Sequence, residues 1–140
     1  MTHSAILALI FTIAVEYGVP PKFAQAVALT ENSTLNPEAV NVNKNGTRDL
    51  GIFQLNSVWY KNPEWNDPEQ NIRDGVKRIK WLMSLPEINT YWAVALAYHS
   101  GLEGMKDPLK KQLEYADNVI NKWNELSGGN ALTIIRGGVK

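Results

Sequence analysis

ENSTLNPEAVNVNKNGTRDLGIFQLN, residues 31–56, is the stretch around which the rest of the chain is organised. It opens with Glu31, directly after an apolar run, residues 23–30, that has helical spacing. It then passes through a reversal rich in Asn and Gly and ends in a short apolar run, residues 52–55, which we expect to form a strand. Because the residue before a proline is disfavoured in the α region, Asn36-Pro37 predicts the stop of the preceding helix. Glu31 is therefore expected in the last turn of that helix.

The position of Glu31 suggests a general acid. The helix dipole disfavours negative charge at the carboxyl end of a helix, and apolar neighbours desolvate a carboxylate. Both effects raise the pKa, and an acid that works near neutral pH needs a raised pKa. The residues alone also allow a plainer interpretation, in which Glu31 is a solvent-exposed side chain near a helix end.

The motifs of this stretch resemble the catalytic region of the lysozyme-like superfamily. The closest resemblance is to domains of the soluble lytic transglycosylase (SLT) type, whose pattern is Glu-Ser, a loop of small residues, and Gly-Leu-Met-Gln. The matching positions are Glu31, Asn36, Pro37, Ala39, Gly46, Asp49 and the run Gly51-Ile52-Phe53-Gln54. The segment 49–59 also resembles the corresponding hairpin of c-type lysozymes.

Two further segments extend the resemblance. Residues 97–101, Ala-Tyr-His-Ser-Gly, are similar to the Ala-Tyr-Asn-x-Gly motif of SLT domains, and residues 67–75 are similar to the segment that lies between the two motifs. The resemblance covers roughly residues 10–125. The chain departs from the pattern at Asn32, where the family usually has Ser, and at His99, where it usually has Asn.

The resemblance implies a peptidoglycan-cleaving enzyme. In a lytic transglycosylase, Glu31 would break the β-1,4 bond between N-acetylmuramic acid and N-acetylglucosamine, first as acid and then as base, and leave a 1,6-anhydromuramoyl end. The alternative is a hydrolytic muramidase that uses Glu31 together with Asp49. We favour the first, and expect Asp49 to be a turn residue that binds hairpin amides and points away from the groove.

Family analogy also implies a supporting set of side chains. Gln54 would hydrogen-bond the substrate near the cleavage point, and the Tyr98 hydroxyl would orient Glu31. Further residues are expected to line the substrate groove: Ser33, Asn56, Ser57, Asn71 and Ser100.

Composition excludes several classes of protein. The chain has no cysteine, which rules out disulfides, thiolate metal sites and a cysteine nucleophile. Its two histidines are too few for a histidine-based metal site. The formal net charge is zero, which is unlike a nucleic-acid-binding domain. We expect a monomer that needs no metal or other cofactor and whose partner is the glycan strand of peptidoglycan.

The pattern along the chain predicts a mainly α (α+β) fold, a single lysozyme-like domain of about five helices with one small β-hairpin. Asn45-Gly46 predicts a type I′ turn in that hairpin. Asp67-Pro68 and Asp107-Pro108 each predict a helix start, as an N-cap followed by proline. We assign residues 1–127 to the catalytic domain and residues 128–140 to a flexible tail.

The N-terminal run, residues 5–17, is the most apolar segment. It is shorter than the roughly 20 residues that a membrane span needs, and it contains Glu16. Neither a basic start nor a cleavage site of the A-x-A type flanks it, although its length fits an export signal. We expect a buried first helix that ends at Gly18, and a protein that acts on the cell wall, whether periplasmic, extracellular or delivered by a phage.

Overall fold

The computed structural model describes residues 1–129, which form five α-helices and one small antiparallel sheet. The helices are α1 (His3–Tyr17), α2 (Pro21–Glu31), α3 (Pro68–Ser84), α4 (Tyr91–Gly104) and α5 (Lys110–Leu126). The sheet contains β1 (Val40–Val42), β2 (Arg48–Leu50) and β3 (Leu55–Asn56), in the order β1-β2-β3. The predicted mainly α architecture is confirmed. Of the predicted tail, residues 130–140 lie outside the described residues.

The first two helices have the predicted ends. Gly18 ends α1 in the left-handed conformation, with φ 71°, which glycine adopts without steric cost. Glu31 is the last residue of α2, as predicted. The stop comes earlier than the expected Asn36-Pro37, because Asn32 leaves the helical region with φ −150°. Its side-chain amide then donates to the carbonyl oxygens of Asn36 and Gly51, which holds the chain that leaves the helix.

One of the two predicted Asp-Pro helix starts is confirmed. Asp67 caps α3 by accepting a hydrogen bond from the Gln70 amide, and Pro68 is the first helical residue. The start of α5 was predicted wrongly, because its N-cap is Leu109 and not Asp107. There the Gln112 side chain folds back to accept from the Leu109 amide, so the helix begins after the proline.

The β element differs from the predicted hairpin in two ways. Asn45 has no positive φ, so the reversal is not the predicted type I′ turn; Gly46 alone is left-handed, with φ 84°. Residues 51–54 form a turn, and only Leu55 of the expected strand is in β3. The physical reason is a tertiary contact: fully buried Asn71 donates to the Leu50 carbonyl and accepts from the Phe53 amide. These two hydrogen bonds take the place of the backbone hydrogen bonds that a strand over residues 51–54 would form.

The turn 51–54 directs its apolar side chains into the core. Ile52 and Phe53 are completely buried, and α3 passes close to the Phe53 ring at Gly75. A Cβ atom at Gly75 would lie only 2.3 Å from Phe53 Cγ, so the approach requires glycine. The turn is therefore anchored by its buried side chains, and Gln54, the residue that follows them, is partly exposed.

Helix α4 packs against both α3 and α5, and its residues 94–97 are buried. An aromatic cluster of Phe23, Tyr91 and Trp123 joins α2, α4 and α5, with ring centroids 5.0–5.1 Å apart. This packing fixes the end of α2, and with it Glu31, against α4 and α5. Within residues 1–129, no helix combines the length and the apolar character that a membrane crossing requires.

Candidate active site

A polar pocket of about 540 Å³ lies where the end of α2 meets the sheet and α4. Asparagines from the sheet and its turn supply much of its wall. Five of the residues singled out from the sequence line it together: Glu31, Asp49, Gln54, Asn56 and Tyr98. These residues come from α2, β2, the turn 51–54, β3 and α4, so only the fold brings them together.

Glu31 is the most strongly perturbed acid of this pocket. The pKa of its carboxyl group is raised from 4.5 to about 7, because burial raises the pKa strongly, a hydrogen bond from Tyr115 lowers it, and the negative charge of Asp49 raises it. The raised pKa was predicted. Desolvation of the Glu31 carboxyl group is the main cause of the raised pKa, and the second contribution that raises it is the charge of the Asp49 carboxylate.

The hydroxyl that orients Glu31 belongs to Tyr115 of α5. It donates to Glu31 Oε2 at 2.6 Å, and the Tyr115 side chain is itself buried. The His99 ring stacks on the Tyr115 ring, with centroids 4.2 Å apart and an angle of 13° between the planes. Sequence reasoning missed Tyr115. In the sequence, Tyr115 is a tyrosine next to Ala116, a residue of the apolar face of α5. That position does not distinguish an active-site residue from a core residue.

The predicted hydrogen bond from Tyr98 to Glu31 is wrong. The Tyr98 hydroxyl donates instead to the Phe53 carbonyl oxygen at 2.6 Å. That carbonyl lies in the turn 51–54, where a strand partner is absent, and Tyr98 satisfies it. Tyr98 still lines the pocket, but its hydroxyl holds the turn that carries Gln54.

The predicted orientation of Asp49 is also wrong, because its side chain lines the pocket together with Glu31. Successive side chains of a strand point to opposite faces, and Leu50 of β2 is buried in the core. Asp49 therefore emerges on the pocket side. Its carboxylate accepts from the side-chain amides of Asn56, at 2.9 Å, and Asn41, at 3.4 Å, and not from hairpin backbone amides.

Gln54 has a strained backbone at the pocket wall. Its φ of 50° is uncommon for a residue with a side chain, and such conformations persist where surrounding contacts enforce them. The side-chain nitrogen donates to the carbonyl oxygens of Gly51 and Ala39, at 2.9 and 3.2 Å. With the nitrogen engaged by the protein, the side-chain carbonyl oxygen is the group that Gln54 can offer to a ligand.

Four other residues predicted to line the groove do not line this pocket. Ser33 is exposed elsewhere, and Ser57 Oγ accepts a backbone amide of β2 at 2.8 Å. Ser100 Oγ donates to a carbonyl of its own helix at 2.7 Å. Asn71 is fully buried and holds the turn 51–54. The polar groups of Ser57, Ser100 and Asn71 thus bond backbone groups of the protein itself, and a contact of any of the four with substrate stays a prediction.

Two pocket residues, Trp59 and Arg78, connect the site to a neighbouring cleft. Trp59 is exposed at the pocket rim. Arg78 was not singled out from the sequence. Among residues 1–129, no group of three or more His, Asp or Glu side chains is arranged to hold a metal ion.

Comparison with known proteins supports the motif assignment. The family model described as "Transglycosylase SLT domain" matches residues 8–121. Protein IpgF of Shigella flexneri and Protein IpgF of Shigella sonnei are each 28% identical to the chain over 123 aligned residues, covering 76% of this chain and 73% of the relative. No solved structure matches the chain significantly. Because the family model spans most of the sequence, this chain belongs to the transglycosylase SLT domain family.

Proposed function

We propose that the chain is a lytic transglycosylase that cleaves the β-1,4 bond between N-acetylmuramic acid and N-acetylglucosamine, with Glu31 as its only acid and base. Membership of the SLT family supports action on peptidoglycan and on the cell wall. The observation that carries the proposal is the desolvated Glu31 carboxyl, with a pKa of about 7, at the wall of a pocket rich in hydrogen-bonding groups.

In the first step, protonated Glu31 donates its proton to the glycosidic oxygen. The bond between that oxygen and C1 of the muramoyl residue then breaks, and positive charge develops on the sugar ring. Glu31 becomes a carboxylate. Tyr115 stabilises this form, since its hydrogen bond lowers the pKa of the carboxyl group.

In the second step, the Glu31 carboxylate accepts the proton of the muramoyl C6 hydroxyl while O6 bonds to C1. The product is a 1,6-anhydro ring, and Glu31 is again protonated. Both steps need the same group to give and take a proton at neutral pH, and a pKa of about 7 suits both directions.

A second candidate function, hydrolysis by a muramidase mechanism, is favoured by one observation. Asp49 lines the same pocket as Glu31 and is close enough for its charge to raise the Glu31 pKa. A retaining or inverting glycosidase uses a second carboxylate in this way. In the transglycosylase mechanism, Asp49 instead keeps Glu31 protonated before the reaction and supports the developing positive charge.

Product analysis distinguishes the two mechanisms. Purified peptidoglycan digested by the wild-type protein is expected to release muropeptides lighter by one water than hydrolysis products. The Asp49→Asn variant should form the same anhydro products at a rate within about tenfold of wild type, since it loses only one electrostatic contribution. Its pH optimum should fall, because the charge that helps to raise the Glu31 pKa is gone.

The matched control is Asp107→Asn, an exposed carboxylate outside the pocket, which should leave both rate and pH optimum unchanged. Hydrated reducing ends together with an inactive Asp49→Asn variant would establish the muramidase mechanism instead. Mass spectrometry of the released fragments gives the answer directly.

The Tyr115→Phe variant is expected to lose roughly 10- to 100-fold in kcat, because the Glu31 carboxylate loses the hydrogen bond that orients and stabilises it. The basic limb of its pH–rate profile should also move to higher pH, since that bond holds the Glu31 pKa down. Tyr91→Phe is the control, a buried tyrosine that packs in the aromatic cluster. An unshifted profile in Tyr115→Phe would show that Tyr115 is only a core residue.

A further inference from the structure

A second depression, here called the α3 cleft, adjoins the active-site pocket. It has a volume of about 360 Å³, and the residues used below, Trp59, Asp74, Lys77, Arg78 and Trp81, all line it. Trp59 and Arg78 line the active-site pocket as well, so the two depressions are adjacent. Both tryptophans are about 45% exposed, which is unusual for such large apolar side chains.

Arg78 lies between the two exposed indoles. Its guanidinium carbon is 4.8 Å from the ring centroid of Trp59 and 4.8 Å from that of Trp81. Aromatic faces attract a cation but provide no hydrogen-bond acceptor in the plane of the guanidinium group. Within residues 1–129, Arg78 forms neither an ion pair nor a hydrogen bond. Burial of the guanidinium group lowers the pKa of Arg78, and the charge of Tyr98 acts in the opposite direction.

The nearby carboxylate does not neutralise Arg78. Asp74 accepts hydrogen bonds from the Tyr60 hydroxyl at 2.8 Å, from Asn62 at 3.1 Å and from Gln70 at 3.1 Å. Asp74 is thus engaged by neutral donors, and among residues 1–129 it forms no ion pair with Arg78. Lys77 adds a second cation to the cleft, and it too forms no ion pair with residues 1–129. The cleft thus presents a guanidinium held between two indoles, an exposed ammonium and two apolar faces.

We propose that the α3 cleft binds a carboxylate of the peptide stem carried by the glycan strand whose sugars occupy the active-site pocket. This inference rests on the proposed function, because it takes peptidoglycan as the substrate. The sugars of the strand are rich in neutral hydroxyls, which do not require an uncompensated guanidinium. The peptide stem supplies carboxylates, which pair with guanidinium in a two-pronged geometry, and apolar carbon chains, which suit the indole faces.

The adjacency of the two depressions supports this choice of ligand. A stem attached to a sugar beside Glu31 can reach the α3 cleft past Trp59 and Arg78, which both depressions share. Arg78 then acts in recognition of the strand and not in proton transfer. Strands that carry stems should be preferred over strands from which the stems have been removed.

Binding is measured on the Glu31→Gln protein, so that the ligand is not consumed. Three probes are compared by calorimetry: tetrasaccharide fragments of peptidoglycan with free peptide stems, the same fragments with amidated stem carboxylates, and the same fragments without stems. The protein should bind the first probe roughly tenfold more tightly than the other two, a difference of about 1.4 kcal/mol. Adding Arg78→Gln should remove that preference, and Arg78→Lys should restore part of it.

Lys80→Gln in the same background is the control, an exposed cation of α3 that lines neither depression, and it should keep the preference. Equal binding of the three probes by the Glu31→Gln protein would overturn the proposal. An Arg78→Gln variant that weakens all three equally would overturn it too, since Arg78 would then recognise sugar or support the fold. The proposed function is tested separately, by whether the wild-type protein cleaves peptidoglycan and leaves anhydro ends, so its failure is distinguishable from failure of this inference.

Discussion

The Glu31→Gln variant is expected to cleave peptidoglycan at least about a thousandfold more slowly than the wild-type protein at pH 7. Glutamine has nearly the same shape and can still accept the Tyr115 hydrogen bond, but it has no proton to give to the glycosidic oxygen. The loss should appear in kcat and leave the affinity for glycan fragments nearly unchanged. Release of soluble muropeptides from purified peptidoglycan measures it.

Glu38→Gln is the matched control for this experiment. Glu38 is an exposed carboxylate seven positions further along the chain, outside the pocket, so its amide should have wild-type activity. Circular dichroism of both variants should coincide with that of the wild type. Wild-type turnover by Glu31→Gln would remove Glu31 from the mechanism.

Glu31 should contribute to the free energy of unfolding with a pH dependence opposite to that of most carboxylates. The pKa of Glu31 is 4.5 in the unfolded chain and about 7 in the folded protein. Between pH 4.5 and pH 7, the folded state therefore holds a proton that the unfolded state has lost. Stability from this group is complete below pH 4.5 and falls as the pH rises through 7. The total change is on the order of 3 kcal/mol.

Glu31→Gln should remove this dependence and be more stable than the wild type by up to about 3 kcal/mol at pH 8, with little difference at pH 4. Urea unfolding at the two pH values measures the difference, and Glu38→Gln should follow the wild type at both. A Glu31→Gln variant that is less stable than the wild type at pH 8 would contradict a strained, desolvated carboxylate at this position.

The two predictions describe one physical compromise. Desolvation and the charge of Asp49 make the Glu31 carboxylate unstable, while Tyr115 stabilises it. The same contacts therefore lower the stability of the folded state at neutral pH and give Glu31 a pKa near that pH. Loss of activity and gain of stability in the same variant would be the signature of that compromise.

Local sequence signals predicted several helix ends, the position of Glu31 and the family. Gly18 and the Asp67-Pro68 pair marked helix ends correctly, because capping depends on the backbone preferences of neighbouring residues. The position of Glu31 at the end of α2 followed from the same kind of signal. The ordered motifs identified the family, which the match to residues 8–121 confirms.

What the sequence could not determine depends on contacts between distant residues. Asn71 holds residues 51–54 in a turn in place of the expected strand. It accepts a hydrogen bond from the backbone amide of Phe53, 18 positions away in the sequence. Glu31 is oriented by Tyr115, which lies 84 positions away. Tyr98 instead donates to the Phe53 carbonyl, which the turn leaves without a strand partner. Asp49 faces the pocket because core packing assigns Leu50 to the other face of β2. Capping is local and can be inferred from neighbouring residues, whereas a hydrogen bond across the fold exists only once packing has placed both partners.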